Sequence, residues 1–209
     1  YQANLTILAT LGRHIPDLLF ISDEENHASL IEGMRNCKNK KYIFKHNDIH
    51  DLENIFQQIP PHLPKLVVLE SVYSISGTIA PLKDIVNLAK KYNALIYLDE
   101  VHAVGLYGTT GAGMAEQLKI THTIDFINGT LSKAIGCFGG YICTSHSWAD
   151  FIRSFASGYI FTTSIPPSLC AAAVQSISEI KSNASLRTQF FRNVLLLRKY
   201  LAQVEIKFN

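Results

Sequence analysis

The sequence predicts an α/β fold, a mostly parallel sheet covered by helices on both faces. Short apolar segments recur within 17–22, where Leu18 to Ile21 stand between Asp17 and Ser22, and at 66–69 and 95–98, as strands buried on both faces do. Stretches with apolar residues at helical spacing lie between them. Acids, imidazoles and hydroxyls gather where the apolar segments stop, at Ser22, Ser71, Ser74, Asp99, His102, Thr130 and Lys133. That is the edge at which parallel sheets bind ligands.

Taken in order, residues 4–11 read as the end of a helix stopped by Gly12, and 17–22 as a buried strand. Residues 28–35 form a short helix and 41–46 the next strand. Asn47 or Asp48 caps a helix carrying Leu52, Ile55 and Phe56. A rigid loop at Pro60, Pro61 and Pro64 precedes the strand at 66–69, which ends in Glu70. Leu82, Ile85, Val86 and Ala89 share one helical face. Strands follow at 95–98 and 124–127, and 140–144 reads as one that turns back. The helix at 147–155 opens with Ser147 and Asp150 at capping-box spacing. Residues 168–181 form a small-residue helix. Residues 184–203 form a long one with Phe191, Leu195, Arg198 and Leu201 in register. Residues 1–181 therefore read as one large domain, and 182–209 as a helix leading to a further, smaller domain. The chain starts on Tyr1 in what looks like mid-helix and is expected to be part of a longer protein.

With 47% hydrophobic and 17% charged residues among 209, the chain is globular. A formal charge of +2 is too small to argue for nucleic acid. No apolar run reaches the roughly 18 residues of a membrane span. The four cysteines form no C-x-x-C pair and read as reduced thiols.

The chemistry centres on 95–140. Asp99 follows four apolar residues, where a carboxylate is costly unless it meets a positive partner. His102 follows three residues on. After the next strand comes Lys133, in Asn128-Gly-Thr-Leu-Ser-Lys133, followed by Gly136. An amine, an acid and an imidazole so placed suggest a pyridoxal phosphate (PLP) site: the cofactor needs a lysine to tether it and a carboxylate on its ring nitrogen. Here Lys133 is expected to be neutralised by burial or cationic neighbours. Thr130 is placed to give a hydroxyl to the phosphate. His27 would stack on the ring, or cap a helix. Thr162 and Thr163 lie at a helix start, where phosphates bind well, or are plain N-caps. Asp99 alone reads equally well as a cap or salt-bridge residue.

Asp99-Glu-Val-His102 also matches the D-E-x-H box of nucleic-acid-dependent ATPases. That reading needs G-x-x-x-x-G-K-[ST], which the sequence lacks. The glycines at 105–113 do not spell a dinucleotide fingerprint either. A metal site at Asp99, Glu100 and His102 is disfavoured, since adjacent strand residues point to opposite faces and no further His or Cys stands at ligand spacing.

Six motifs together resemble the α-oxoamine synthases, a family of fold-type I PLP enzymes. They are Asn26-His-Ala-Ser-Leu-Ile-Glu-Gly-Met-Arg35, Lys45-His-Asn-Asp48, Glu70-Ser-Val-Tyr-Ser74, Asp99-Glu-Val-His-Ala-Val-Gly-Leu-Tyr-Gly108, Gly129-Thr-Leu-Ser-Lys133 and Phe161-Thr-Thr-Ser-Ile-Pro-Pro167. The run from Asp99 to Gly108 is typical of the member that condenses glycine with succinyl-CoA. The resemblance implies that Lys133 holds PLP and removes the α-proton of glycine, that Asp99 pairs with the ring nitrogen, and that His102 and Ser74 contact the phenolic oxygen. It implies that His27 stacks on the ring, that Thr130 binds phosphate, and that Ser22 and Lys41 contact the acyl-CoA. It further implies a homodimer, with Thr162 and Thr163 reaching the phosphate in the other subunit's site, and a bacterial cytoplasm or mitochondrial matrix as the setting. The sequence departs from the family at Ile75-Ser76-Gly77, where Met-Asp-Gly is usual, and at Ser132, where Gly usually precedes the lysine. The family's N-terminal substrate segment and C-terminal small domain have no counterpart, so residues 1–209 alone are expected to be poorly active. A sister enzyme using another acyl-CoA, or a non-catalytic relative, are the rival expectations. Retention of Lys133 with Asp99, His102 and His27 speaks against the second.

Overall fold

The computed structural model describes residues 1–204 and 206. Among them, six strands form one sheet in the order β2-β1-β3-β4-β5-β6. They are β1 (Leu19–Asp23), β2 (Lys41–Phe44), β3 (Lys65–Glu70), β4 (Leu95–Asp99), β5 (Phe126–Thr130) and β6 (Gly140–Thr144). The first five are parallel, and β6 returns antiparallel to β5. The helices are α1 (Gln2–His14), α2 (Ala28–Arg35), α3 (Ile49–Gln58), α4 (Leu82–Lys91), α5 (Met114–Gln117), α6 (His146–Phe155), α7 (Ser157–Ile160), α8 (Pro167–Ser182) and α9 (Ala184–Gln203).

Alternation along each strand divides the core in two. Ile21, Val67, Leu69 and Leu98 face Leu52 and Phe56 of α3 and Ile85, Val86 and Ala89 of α4. Phe20, Val68, Tyr97 and Phe126 face Ile7, Leu8 and Leu11 of α1, Leu30 and Met34 of α2, and Ile152 of α6. Burial on both faces is what the apolar strands require. Lys65 opens β3 fully buried, and its ammonium donates to the carbonyls of Pro61 and Leu63.

Several expected boundaries move, for identifiable reasons. Gly12 does not stop α1, which runs to His14. Gly12 is buried where a Cβ would strike Cys37 Sγ, so the residue permits close packing instead of ending the helix. Asp17 takes a left-handed turn (φ 55°), so β1 begins at Leu19. The strand expected at 124–127 lies two residues later, because a 3-10 turn at Thr121–Thr123 occupies the approach and Asp125 Oδ2 accepts from the Ile96 amide at 2.8 Å. Ser145, not Ser147, caps α6 by accepting from the Trp148 amide. Asp150 instead approaches His146 and Arg153, each at 3.5 Å on the surface. Asp48 is the cap of α3. Helices α2 and α9 begin and end where expected, yet Leu195 on α9 is 68% exposed.

Candidate active site

Strand register builds the site. Glu70 lies opposite Asp99, and Asp99 opposite Asn128, so the carboxyl ends of β3, β4 and β5 present one row of polar side chains. All three are buried. The Asp99 carboxylate is fixed by three donors. Asn4 Nδ2 from α1 approaches Oδ2 at 2.7 Å, Asn128 Nδ2 approaches it at 3.1 Å, and the Val101 amide donates to Oδ1 at 2.9 Å. Asn4 is itself held by Tyr97, whose hydroxyl donates to Asn4 Oδ1 at 2.7 Å, and it donates to Ser29 Oγ at 2.9 Å. A buried carboxylate so satisfied keeps one orientation.

The next residue, Glu100, turns to the opposite face. It accepts from Ser71 Oγ at 2.6 Å and from the Met114 and Ala115 amides, so it anchors α5 and takes no part in the row. The chain then turns, with Ala103 N donating to Glu100 O, and so sets His102 beside the row. His102 Nδ1 is buried without a hydrogen-bond partner, and Glu70 Oε2 stands 3.8 Å away. Burial, and then the charge of Lys133, push the imidazole pKa down and favour its neutral form. His27 caps α2, its Nδ1 accepting from the Ser29 amide. Its own amide donates to Glu70 Oε1 at 2.7 Å. Burial, and then the neighbouring Asp99, push Glu70 up to about 8.

Other expected residues fall into place unevenly. Lys133 lies in the loop joining β5 and β6, close enough for its charge to act on both Glu70 and His102. It is exposed, so of the two expected routes to a neutral amine, burial and cationic neighbours, burial does not apply; the 131–139 loop lies outside the two cores. Thr130 Oγ1 donates to Gly139 O and accepts from the Ser132 amide at 3.2 Å, with Ser132 Oγ at 2.8 Å, so the serine that stands where glycine is usual is accommodated in the turn that Thr130 closes. Ser74 is exposed on a turn closed by Tyr73 N to Thr78 O and by Gly77 N to Tyr73 O. Gly77 there is left-handed (φ 69°), so the turn forms without the usual acid. His46 steadies it, accepting or donating at 2.7 Å to Thr78 Oγ1 and at 2.9 Å to Asp23.

Ser22 is buried at the end of β1, but its hydroxyl is engaged with Asp23 O and Asn26 Nδ2. Lys41 does not join the cluster. It opens β2, three residues from the carboxyl end and about 10 Å along the strand, and its ammonium donates to the Cys37 and Asn39 carbonyls. Thr162 and Thr163 lie on the exposed segment between α7 and α8, where Thr162 Oγ1 donates to Gly158 O at 2.6 Å. Among the described residues no hydrogen bond joins them to the row.

Asn4, Asn128 and Glu70 carry no role in the sequence-based expectations. A buried asparagine within an apolar helix face was the available signal for Asn4. Chemically, the row offers a fixed carboxylate for a protonated ring nitrogen, a neutral imidazole with an unpartnered nitrogen, and a free primary amine. That set fits PLP, and the observation that tests the fit is the Asp99 carboxylate, buried at the carboxyl end of β4 with amide donors but no ion pair among the described residues. Among the described residues no helix is long and apolar enough to cross a membrane, and no group of three His, Cys, Asp or Glu is arranged to hold a metal ion.

Comparison with known proteins agrees with this architecture. The family model for class I and II aminotransferases matches residues 1–209. The 5-aminolevulinate synthase of Rickettsia bellii is 52% identical over 189 residues, covering 90% of this chain and 46% of that protein. The mitochondrial 5-aminolevulinate synthase of Schizosaccharomyces pombe is 47% identical over 207 residues, 99% of this chain and 37% of that protein. The chain thus spans half the length, or less, of these curated relatives. A serine palmitoyltransferase of Sphingomonas wittichii superposes with a TM-score of 0.92 at 35% identity, over 97% of this chain and 50% of that one. A structure described as SPT with PLP gives 0.94 at 36% identity, over 100% and 52%. The 8-amino-7-oxononanoate synthase of Francisella tularensis gives 0.83 at 26% identity, over 99% and 59%. The chain belongs to the class I and II aminotransferase family and carries the fold-type I architecture of its PLP-dependent transferases.

Proposed function

We propose that the protein containing this chain is a 5-aminolevulinate synthase, condensing glycine with succinyl-CoA to give 5-aminolevulinate, CoA and CO2 with PLP as cofactor. The observation that carries the reading is the Asp99 carboxylate, buried and held by Asn4, Asn128 and Val101, with His102, His27 and Lys133 around it. The relatives at 45–52% identity that bear this name support the member.

Bound PLP supplies an electron-withdrawing ring that stabilises negative charge at the glycine Cα. Asp99 holds the proton on the ring nitrogen. His102 and Ser74 bond the phenolic oxygen, and His27 packs on the ring. Thr130 binds the phosphate. Lys133 tethers the cofactor and then takes the α-proton from glycine onto Nζ. Ser22 and Lys41 serve the acyl-CoA. Lys41 reaches it from the amino end of β2 only by leaving the Cys37 and Asn39 carbonyls. Residues 1–181 form the large domain and 182–209 lead toward a smaller one. Two subunits pair, with Thr162 and Thr163 serving the other subunit's phosphate. The setting is the cytoplasm in a bacterium or the mitochondrial matrix in a eukaryote; the Schizosaccharomyces pombe relative is named mitochondrial.

The test uses the complete open reading frame, PLP, glycine, and either succinyl-CoA or acetyl-CoA. Release of CoA with 5-aminolevulinate from succinyl-CoA supports the member. Turnover with acetyl-CoA alone keeps the family and moves the assignment to a sister enzyme, 2-amino-3-ketobutyrate CoA ligase. No CoA release from a folded, PLP-loaded protein overturns the catalytic reading.

A further inference from the structure

Glu70 has no part in the reading above, yet it touches two of its residues. One carboxyl oxygen, Oε1, accepts the His27 amide at 2.7 Å and so fixes the start of α2, where the His27 ring sits. The other, Oε2, faces the buried and unpartnered Nδ1 of His102 at 3.8 Å. That gap is a small rotation beyond hydrogen-bond reach, and such contacts commonly tighten when a site fills.

We propose that Glu70 is a positioning residue: its carboxyl group fixes the His27 cap and, by holding or releasing its own proton, selects the tautomer that His102 turns to the cofactor. The inference rests on the PLP reading given above. A protonated Glu70 donates its O–H to Nδ1, which leaves the His102 proton on Nε2 as a donor. An ionised Glu70 can only accept, so it draws the imidazole proton to Nδ1 and leaves Nε2 a bare acceptor. A cofactor oxygen bearing negative charge needs the donor, so the protonated acid is the productive state. The surroundings favour it. Asp99 from β4 and Asp23 from β1 oppose a second negative charge, whereas the His27 amide and Lys133 from the β5–β6 loop favour one, and Tyr73 from the turn after β3, held neutral by burial, adds no charge. Glu70 is 2% exposed, and its proton is held up to about pH 8.

The test is ring nitrogen NMR on the complete protein labelled with ¹⁵N-histidine, with PLP bound and after its removal, with His102 assigned from His102→Gln. In the natural sequence the Nε2–H form of His102 should dominate at about pH 6.5 and give way to Nδ1–H by about pH 9. In Glu70→Gln, which has no proton to release, the tautomer should stay constant across that range. A His102 tautomer that does not change with pH in the natural sequence overturns the proposal, and needs no variant to fold. So does a Glu70→Gln protein that follows the same pH course. The two readings separate cleanly: a tautomer that follows Glu70 in a protein that never binds PLP upholds the coupling and fails the cofactor assignment, and PLP binding with an indifferent His102 does the reverse.

Discussion

Replacing Asn4 with alanine tests how the far end of the chain holds Asp99. The substitution removes the 2.7 Å donation to Asp99 Oδ2 and the 2.9 Å donation to Ser29 Oγ, and strands the Tyr97 hydroxyl that donates to Asn4 Oδ1. A hydrogen bond to a charged group contributes about 1.5–3 kcal/mol and an orphaned buried hydroxyl costs about 1–3 kcal/mol, so about 3–5 kcal/mol is at stake. The local readout is hydrogen exchange at the Val101 amide, which donates to the same carboxylate. A loss of about 3 kcal/mol speeds exchange by about 100-fold or more. Adding Tyr97→Phe to Asn4→Ala removes the stranded hydroxyl and should restore about 1–2 kcal/mol. Exchange accelerated by less than about tenfold, or a double variant no better than the single, would refute the claim that α1 holds Asp99 through Asn4.

Glu70 also sets a pH dependence of stability. Its folded pKa is about 8 against an ordinary 4.5. Between those values the unfolded chain releases the proton and the folded chain keeps it, so stability falls as pH rises, by at most about 1.4 kcal/mol per pH unit. Melting curves of Glu70→Gln should lack that slope. Gly129→Ala would place a Cβ against the Tyr141 ring across the β5–β6 ladder. It should cost about 1–3 kcal/mol in thermal unfolding and shift Tyr141. Arg187 donates to Thr109 O at 2.6 Å and to Ile180 O at 2.5 Å, tying the glycine-rich 105–113 loop to α8. Arg187→Ala should make that loop the first site of limited proteolysis, with little change in overall melting.

The sheet was legible because its strands are buried on both faces and so read as uninterrupted apolar runs. The face of α4 was equally plain, with Leu82, Ile85, Val86 and Ala89 all buried at helical spacing. What escaped depends on contacts distant in sequence. Gly12 looks like a stop until Cys37 is seen packed against it. The start of β5 is displaced by Asp125 reaching across to Ile96, which no local pattern encodes. In the site, Asp99, His102 and Lys133 stood out because their chemistry clashes with apolar surroundings. Asn4 did not, since its partner lies 95 positions away. Glu70 looked like the end of a strand, and only the register that sets it beside Asp99 shows it as part of the row. Lys133 was expected to be neutralised by burial or by cationic neighbours, and the burial alternative fails because its small, apolar neighbours form a loop that stands clear of both cores.

The central claim is that Lys133 carries the cofactor. Borohydride reduction of the complete, PLP-loaded protein, followed by peptide mass spectrometry, addresses it without any assumption about the acyl donor. The account predicts a phosphopyridoxyl group on Lys133, and loss of that adduct and of the bound chromophore in Lys133→Ala. A stable adduct on another lysine, or none in a folded protein saturated with PLP, would contradict it.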